Sequence, residues 1–151
     1  MKKSKLTIII IAILVVLTAV LAVVHLTTRQ QEEEGAVQVI CGGQTYLVSL
    51  DELQSAAVAV QGSVTNNAGE EKKVDGLGVA VSKVLELAGV DVTSSVEVTS
   101  SDEYSVSLTA EETAEEGKAW LMIEDGILRL IVFGDQGAKR NVKNVVRLTV
   151  N

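Results

Sequence analysis

The pattern of hydrophobic and polar positions divides the chain near residue 25. Before that point lies an apolar run of 19 residues, Leu6 to Val24, interrupted only by two threonines. A helix of roughly 20 apolar residues is long enough to cross the hydrocarbon core of a bilayer. Lys2, Lys3 and Lys5 precede the run, and lysines near a span favour the cytoplasmic side. The pattern therefore predicts a transmembrane helix within residues 1–25, with a cytoplasmic N-terminus.

The same run could instead be a cleaved secretory signal. Such signals have an apolar region of about 7–15 residues that ends at small residues. Val20-Leu21-Ala22 is a weak cleavage candidate, and the apolar run is longer than usual. We therefore expect an uncleaved single-pass anchor in the cell membrane, with secretion after cleavage as the alternative. In both cases an acidic stalk over residues 26–34 leads to an extracytoplasmic domain over residues 35–151.

After residue 35 the apolar segments become short and are separated by turn residues, as in strands. Asp125-Gly126 between two apolar runs is typical of a hairpin with a type I′ turn. Gly62 lies inside an apolar run and indicates a bulge, whereas Glu70–Lys73 is expected to be a solvated segment. The predicted strands are Val37–Ile40, Thr45–Leu50, Ala57–Val64, Val96–Thr99, Tyr104–Leu108, Ala119–Glu124, Ile127–Phe133 and Val145–Val150.

Helices are indicated at three places by capping and periodicity. Ser49–Glu52 and Thr109–Glu112 both have the spacing of a capping box, which starts a helix. Apolar residues recur at steps of three and four over Val79–Ala88, and Gly89 follows where a left-handed cap is expected. Because the strands mostly follow one another without long crossover helices, the domain is predicted to be α+β. In the last strand, Val146 is expected to share a face with Leu148 and Val150.

The amino-acid composition argues against several classes of function. Residues 35–151 carry 17 Asp and Glu against 9 Lys and Arg, a formal charge of about −8, which opposes nucleic-acid binding. The only cysteine is Cys41 and the only histidine is His25, at the membrane edge. The domain therefore has no internal disulfide, no Cys/His zinc site and no Ser-His-Asp or Cys-His catalytic group. We expect Cys41 to be a packing residue at a strand end.

The acidic residues Glu111, Glu112, Glu115 and Glu116 could suggest calcium. They lack the fixed spacing of a calcium-binding loop, so we expect a solvated helical face. The sequence assigns no metal ligand and no catalytic residue.

Four segments, in order, resemble the sulfite-oxidase-type molybdopterin-binding oxidoreductase domains. Tyr46–Leu53 is similar to the "L-T-L-D-E-L" opening of that family, and Gly78–Val90 is similar to its "G-V-x-L-x-x-L-L-x-x-A-G-V" helix. Ser101–Leu108 resembles the "S-x-D-G-Y-S" strand entry. Leu128–Val132, followed by Lys139–Val146, resembles the "P-L-R-L-V-x-P … K-x-V-K-x-V" ending. The resemblance implies mixed sheets with short helices.

The resemblance also implies a cofactor site, from which this chain departs. A basic loop near the last strand holds the cofactor phosphate in that family, which here points to Arg129, Lys139, Arg140 and Lys143. Ordinary surface cations are the alternative interpretation of these four residues. The molybdenum-binding cysteine of the family is expected within residues 54–78, where this chain has none. The prolines of the ending are also absent, and Glu103 replaces a family glycine.

Three functional hypotheses remain open at this stage. The first is a membrane-tethered module of this fold that has lost molybdenum catalysis and binds a small molecule or a membrane redox protein. The second is an active molybdopterin-dependent oxidoreductase, with molybdopterin as a cofactor implied only by the resemblance. The third is an exported adhesion or sensor domain.

Overall fold

The computed structural model describes residues 2–30, 37–137 and 139–151. The chain forms two compact units, Met1–Glu33 and Glu34–Asn151. In chain order, the elements of the described residues are α1 (Lys2–Gln30), β1 (Val37–Cys41), β2 (Gln44–Val48), α2 (Leu50–Ala56), β3 (Val58–Thr65), β4 (Glu71–Ala80), α3 (Val81–Leu87), β5 (Val96–Ser100), β6 (Ser105–Leu108), α4 (Ala110–Ala114), β7 (Ala119–Glu124), β8 (Ile127–Val132), β9 (Val142–Lys143) and β10 (Val145–Val150).

The N-terminal unit contains the apolar helix α1. Its segment Ser4–Val24 is 21 residues long and apolar enough to cross a membrane, a test that a signal sequence would also pass. At about 1.5 Å per residue this segment is about 31 Å long, close to the thickness of a bilayer core. The helix continues through residues 26–30, the first part of the predicted stalk, and residues 31–34 lie outside the described residues.

The C-terminal unit contains two five-stranded sheets among its described residues, which confirms the predicted α+β class. The first sheet has the order β2-β1-β10-β5-β6 and is mixed, because β1 runs parallel to β10. The second sheet has the order β3-β4-β7-β8-β9 and is antiparallel throughout. Asn144, with φ of 53°, is the single residue between β9 of the second sheet and β10 of the first. Asparagine tolerates this left-handed backbone better than most residues.

One apolar cluster forms the main core, with contributions from both sheets and from helices α2 and α3. Val39 and Leu148 of the first sheet and Leu121 and Leu130 of the second are completely buried in it. Burying a Val or Leu side chain stabilises a fold by about 1.5–3 kcal/mol, so this cluster is the main source of stability. Leu53 is the buried residue of α2 and enters the same cluster.

A smaller cluster lies on the other face of the second sheet. Val60, Met122 and Ile131 are buried there, and Trp120 and Phe133 pack against them. Three glycines on this face make room for large neighbours. A Cβ at Gly62 would meet the Phe133 ring at 2.6 Å, and a Cβ at Gly78 would meet the Met122 sulfur at 2.8 Å. Gly76 lies under the Met122 methyl group in the same way.

The local predictions agree well with the structure. Both capping boxes are present, at Ser49 and at Thr109. Helix α3 ends in a Schellman arrangement, in which Val90 N–H donates to the Leu85 carbonyl and Gly89 has φ of 73°. Asp125 and Gly126 both have positive φ, as a type I′ turn requires.

Strand β4 is the main departure from the sequence prediction. Most of the charged segment Glu70–Lys73, residues 74–78 and the start of the predicted helix form one ten-residue strand, Glu71–Ala80. The charged residues are exposed in this strand, as predicted, but their strand conformation was not predicted. It pairs with β3 without a register shift, from Val58 opposite Gly78 to Thr65 opposite Glu71. The bulge predicted at Gly62 is therefore wrong, and that glycine instead accommodates Phe133. Helix α3 begins at Val81, two residues later than predicted.

Two further corrections concern the end of the chain. The described residues contain ten strands rather than the eight predicted, and β4 and β9 account for the difference. The register of β10 against β5 shifts between Val145 and Arg147. This bulge reverses the alternation, so that Val145 is buried with Leu148 and Val150, whereas Val146 is 38% exposed.

Candidate functional site

A cavity of about 170 Å³ lies on the outer face of the second sheet. Its walls come from two parts of the domain, the tip of the β3–β4 hairpin and the strand β8 with the segment that follows it. Ile131 of β8 and Val64 of β3 provide apolar walls. The polar lining comes from Thr65, Asn66, Lys72, Arg129, Asp135, Arg140 and Asn141.

Arg129 is positioned in the cavity by strand pairing. Its neighbours across the sheet are Met122 on one side and Lys143 on the other. Directly paired residues of antiparallel strands have side chains on the same face, so Arg129 emerges beside buried Met122. Its side chain is 22% exposed, its Nε donates to Asn141 Oδ1 at 2.7 Å, and its Nη1 lies 3.8 Å from Glu124 Oε2. Asn141 therefore fixes the orientation of the guanidinium plane.

Arg140 lies between two carboxylates, and these three residues are called the Arg140 bridge below. Its Nη1 and Nη2 donate to Glu112 at 2.8 and 2.7 Å. Its Nε donates to Asp135 at 2.7 Å, and its Nη2 donates to the other oxygen of Asp135. All three nitrogens of the guanidinium are thus bonded to protein carboxylates. The bridge fixes the segment after β8 to the start of helix α4.

The Arg140 bridge shifts the ionisation of its members. Hydrogen bonds from Arg140 are the largest cause that lowers the pKa of Glu112 to about 2, and the Thr109 backbone N–H adds to the effect. The hydrogen bonds to Glu112 and Asp135 raise the pKa of Arg140. Glu112 also accepts from Thr109 N–H at 3.0 Å as part of the capping box. Of the four glutamates predicted as a solvated face, Glu112 is therefore the exception.

The other two predicted cofactor contacts lie at or beyond the rim. Lys143 is exposed beside Arg129, and Lys139 is exposed on the segment before β9. Neither lysine is among the described residues that line the cavity. The backbone carbonyl of Lys139 accepts from the Tyr104 hydroxyl at 3.0 Å.

Lys72 and Asn141 are site residues that the sequence prediction missed. Lys72 lines the cavity from β4 and has no ion-pair partner among the described residues. The side chains of a strand alternate between its two faces. If β4 had been predicted as a strand, Lys72 and Lys73 would have been assigned to opposite faces of the sheet. The cavity lining carries three cations and one carboxylate, Asp135, inside a domain with a formal charge of about −8.

The turn before β6 adjoins this region. Asp102 accepts from the Ser100 hydroxyl and from Tyr104 N–H, and these hydrogen bonds lower its pKa. Glu103 follows in the left-handed conformation with φ of 66°. Through its hydroxyl, Tyr104 joins this turn to the segment that carries Arg140.

The residues around the cavity do not fit a molybdopterin site. Cys41, the only cysteine, is half-buried at the end of β1 in the first sheet, where it packs against the main core. No thiol is therefore among the described residues that line the cavity. A volume of about 170 Å³ is also below the roughly 300–1,000 Å³ of sites for larger organic ligands. No group of three His, Cys, Asp or Glu side chains that could hold a metal ion occurs in the described part of the chain.

No model of a known protein family matches the chain, and no curated protein matches it.

Proposed function

We propose that the chain is a membrane-anchored extracytoplasmic binding module of the sulfite-oxidase type that lacks molybdenum catalysis. Its binding site is the cavity beside Arg129. The ligand is a small molecule, free or presented by a membrane redox protein. The anchor is the apolar segment Ser4–Val24, and the lysines before it favour a cytoplasmic N-terminus.

The chemistry of the cavity carries this proposal. Guanidinium, ammonium and amide groups line it, and these groups bind anions by charge and hydrogen bonds. Molybdenum in this family is held by a thiolate, a soft ligand that these groups cannot replace. Cys41 belongs to the other sheet. The cavity is thus suited to binding and not to holding a redox metal.

Two backbone features support the relationship to the sulfite-oxidase type. Position 103 is a glycine in the family pattern, and Glu103 has the left-handed backbone that favours glycine. The family helix ends in "A-G-V", and Ala88-Gly89-Val90 forms the Schellman end of α3.

Elemental analysis of the purified protein tests the proposal. The full chain is produced in cells that make molybdopterin, extracted in nonionic detergent, and assayed for molybdenum and for pterin. We expect less than about one metal per ten chains. Stoichiometric molybdenum would contradict the proposal and would favour an active oxidoreductase. The Cys41→Ser variant then decides whether the thiol holds that metal.

The mass of the extracted chain tests the anchor separately. An uncleaved anchor predicts the full mass of 16.0 kDa in the membrane fraction. A shorter chain in the medium would show that the apolar run is a secretory signal. A chain without metal that adheres to other cells would favour the adhesion hypothesis.

A further inference from the structure

We infer that the cavity binds one small oxoanion, a phosphate or a carboxylate group, between Arg129 of the sheet and Lys72 of the β3–β4 hairpin. This inference rests on the proposed function and names the ligand class of the same site. Lys72 has no counterpart among the four cations suggested by the family resemblance.

Arg129 is held ready for a planar pair of oxygens. Its Nε is bonded to Asn141 Oδ1, and the pairing of β8 with β7 and β9 fixes the Cα position. A guanidinium presents its donors in a rigid fork that matches carboxylate and phosphate oxygens. Because its side chain is only 22% exposed, the charge is screened less than that of a surface arginine.

Lys72 faces Arg129 from the hairpin. The β3–β4 hairpin pairs with β7 only at its base, Gly78–Ala80, while its tip lies beside the segment after β8. Two close approaches occur between the hairpin and this segment. The Phe133 ring rests on Gly62, and a side chain at Gly137 would meet Asn67 Oδ1 at 3.1 Å. A ligand bound to both cations would join the hairpin to the sheet.

Size and charge restrict the ligand. A cavity of about 170 Å³ is smaller than the roughly 300–1,000 Å³ of sites for larger organic ligands, so it suits a small anion. The third cation, Arg140, is already bonded to Glu112 and Asp135, whereas Arg129 has one longer contact, 3.8 Å to the exposed Glu124, and Lys72 has no ion-pair partner among the described residues. The negative charges of Glu112 and Asp135 would repel a ligand that carries several negative charges. The site therefore fits a monophosphate or a carboxylate rather than a nucleoside triphosphate.

Titration of the full chain in nonionic detergent tests the inference. The probes are inorganic phosphate and acetate. Their binding is measured by calorimetry and by the fluorescence of Trp120, the only tryptophan. Trp120 pairs with Ile131, which lines the cavity, so binding should alter its emission. We expect saturable binding of one anion per chain. The tighter of the two probes identifies the anionic group of the ligand.

Matched variants locate the site. We expect Arg129→Gln to weaken binding about tenfold or more and Lys72→Gln to weaken it about threefold to tenfold, as for charge-assisted contacts. Lys73→Gln removes the same charge from the other face of the same hairpin, and Arg147→Gln removes a strand arginine from the first sheet. Both controls should bind within about twofold of the unchanged chain. Circular dichroism verifies that each variant is folded.

The inference is overturned by a lack of saturable binding, or by controls that lose as much affinity as Arg129→Gln and Lys72→Gln. If Arg129→Gln fails to fold, Lys72→Gln against Lys73→Gln decides alone, because both lie on the exposed hairpin. Molybdenum is measured in the same preparations. A metal-free chain that binds neither anion refutes this inference alone, whereas a molybdenum-loaded chain refutes the proposed function.

Discussion

The Arg140 bridge gives a prediction that depends on pH. A Glu112 pKa lowered from 4.5 to about 2 corresponds to about 3 kcal/mol of stabilisation, at 1.36 kcal/mol per pKa unit. The side chains of Arg140 and Glu112 remain 26% and 21% exposed, so solvent screening reduces the expected contribution to about 2 kcal/mol. We expect Arg140→Gln to lower the free energy of unfolding by this amount at pH 7.

The sign follows from proton linkage. Folded Glu112 stays ionised down to about pH 2, whereas the same residue in the unfolded chain takes up a proton near pH 4.5. The stabilisation is therefore present above pH 4.5 and is lost as the pH falls toward 2. At pH 3 the difference between the unchanged chain and Arg140→Gln should shrink to about 1 kcal/mol or less.

Urea unfolding of the full chain in detergent, followed by Trp120 fluorescence, measures both differences. Other carboxylates titrate alike in the two proteins, so the change in their difference isolates the bridge. Arg147→Gln is the control, because its partner Glu103 is 80% exposed and the pair should contribute less than about 0.5 kcal/mol. A difference that is absent at pH 7, or equal at pH 7 and pH 3, would refute the reasoning.

Three other changes can be measured by the same unfolding assay. Gly62→Ala places a Cβ against the Phe133 ring and should cost about 1–3 kcal/mol, and an unchanged midpoint would contradict the packing. Glu103→Gly relieves a left-handed φ, so it should be more stable than Glu103→Ala by about 0.5–1 kcal/mol, and the reverse order would refute the strain. Thr109→Ala removes the cap of α4 and should cost about 1 kcal/mol, whereas Thr93→Ala, outside any helix, should cost less.

Features that depend on near neighbours in the chain were predictable from the sequence. The capping boxes at Ser49 and Thr109, the turn at Asp125-Gly126 and the end of α3 at Gly89 were all found where expected. Each is fixed by hydrogen bonds or backbone angles within a few residues. The α+β class followed because these local elements leave no room for long crossover helices.

Features that depend on distant partners were not predictable. Strand β4 contains adjacent charges and two glycines, a composition that does not suggest a strand. Its pairing with β3 and the Met122 side chain over Gly76 and Gly78 explain it, and both require the fold. The bulge at Val146 likewise arises from the register against β5.

The candidate site was predicted in part. The family resemblance indicated Arg129 and Arg140, and both line the cavity. The pairing of Arg140 with Glu112 could not be inferred, because Glu112 lies 28 residues earlier in the chain. Lys72 was missed because it lies on β4, a strand that the sequence did not predict. The role of Arg129 as a ligand contact stays a prediction.

Crystallography with a heavy oxoanion tests the binding site beside Arg129 most directly. Crystals of the full chain soaked in tungstate, a tetrahedral anion, locate the ion by its anomalous scattering. The strongest peak is predicted in the cavity, within about 4 Å of the Arg129 guanidinium and the Lys72 ammonium, and at equal tungstate concentration it should be clearly weaker in Arg129→Gln crystals. A cavity without a peak, or a peak of unchanged height in the variant, would contradict the assignment.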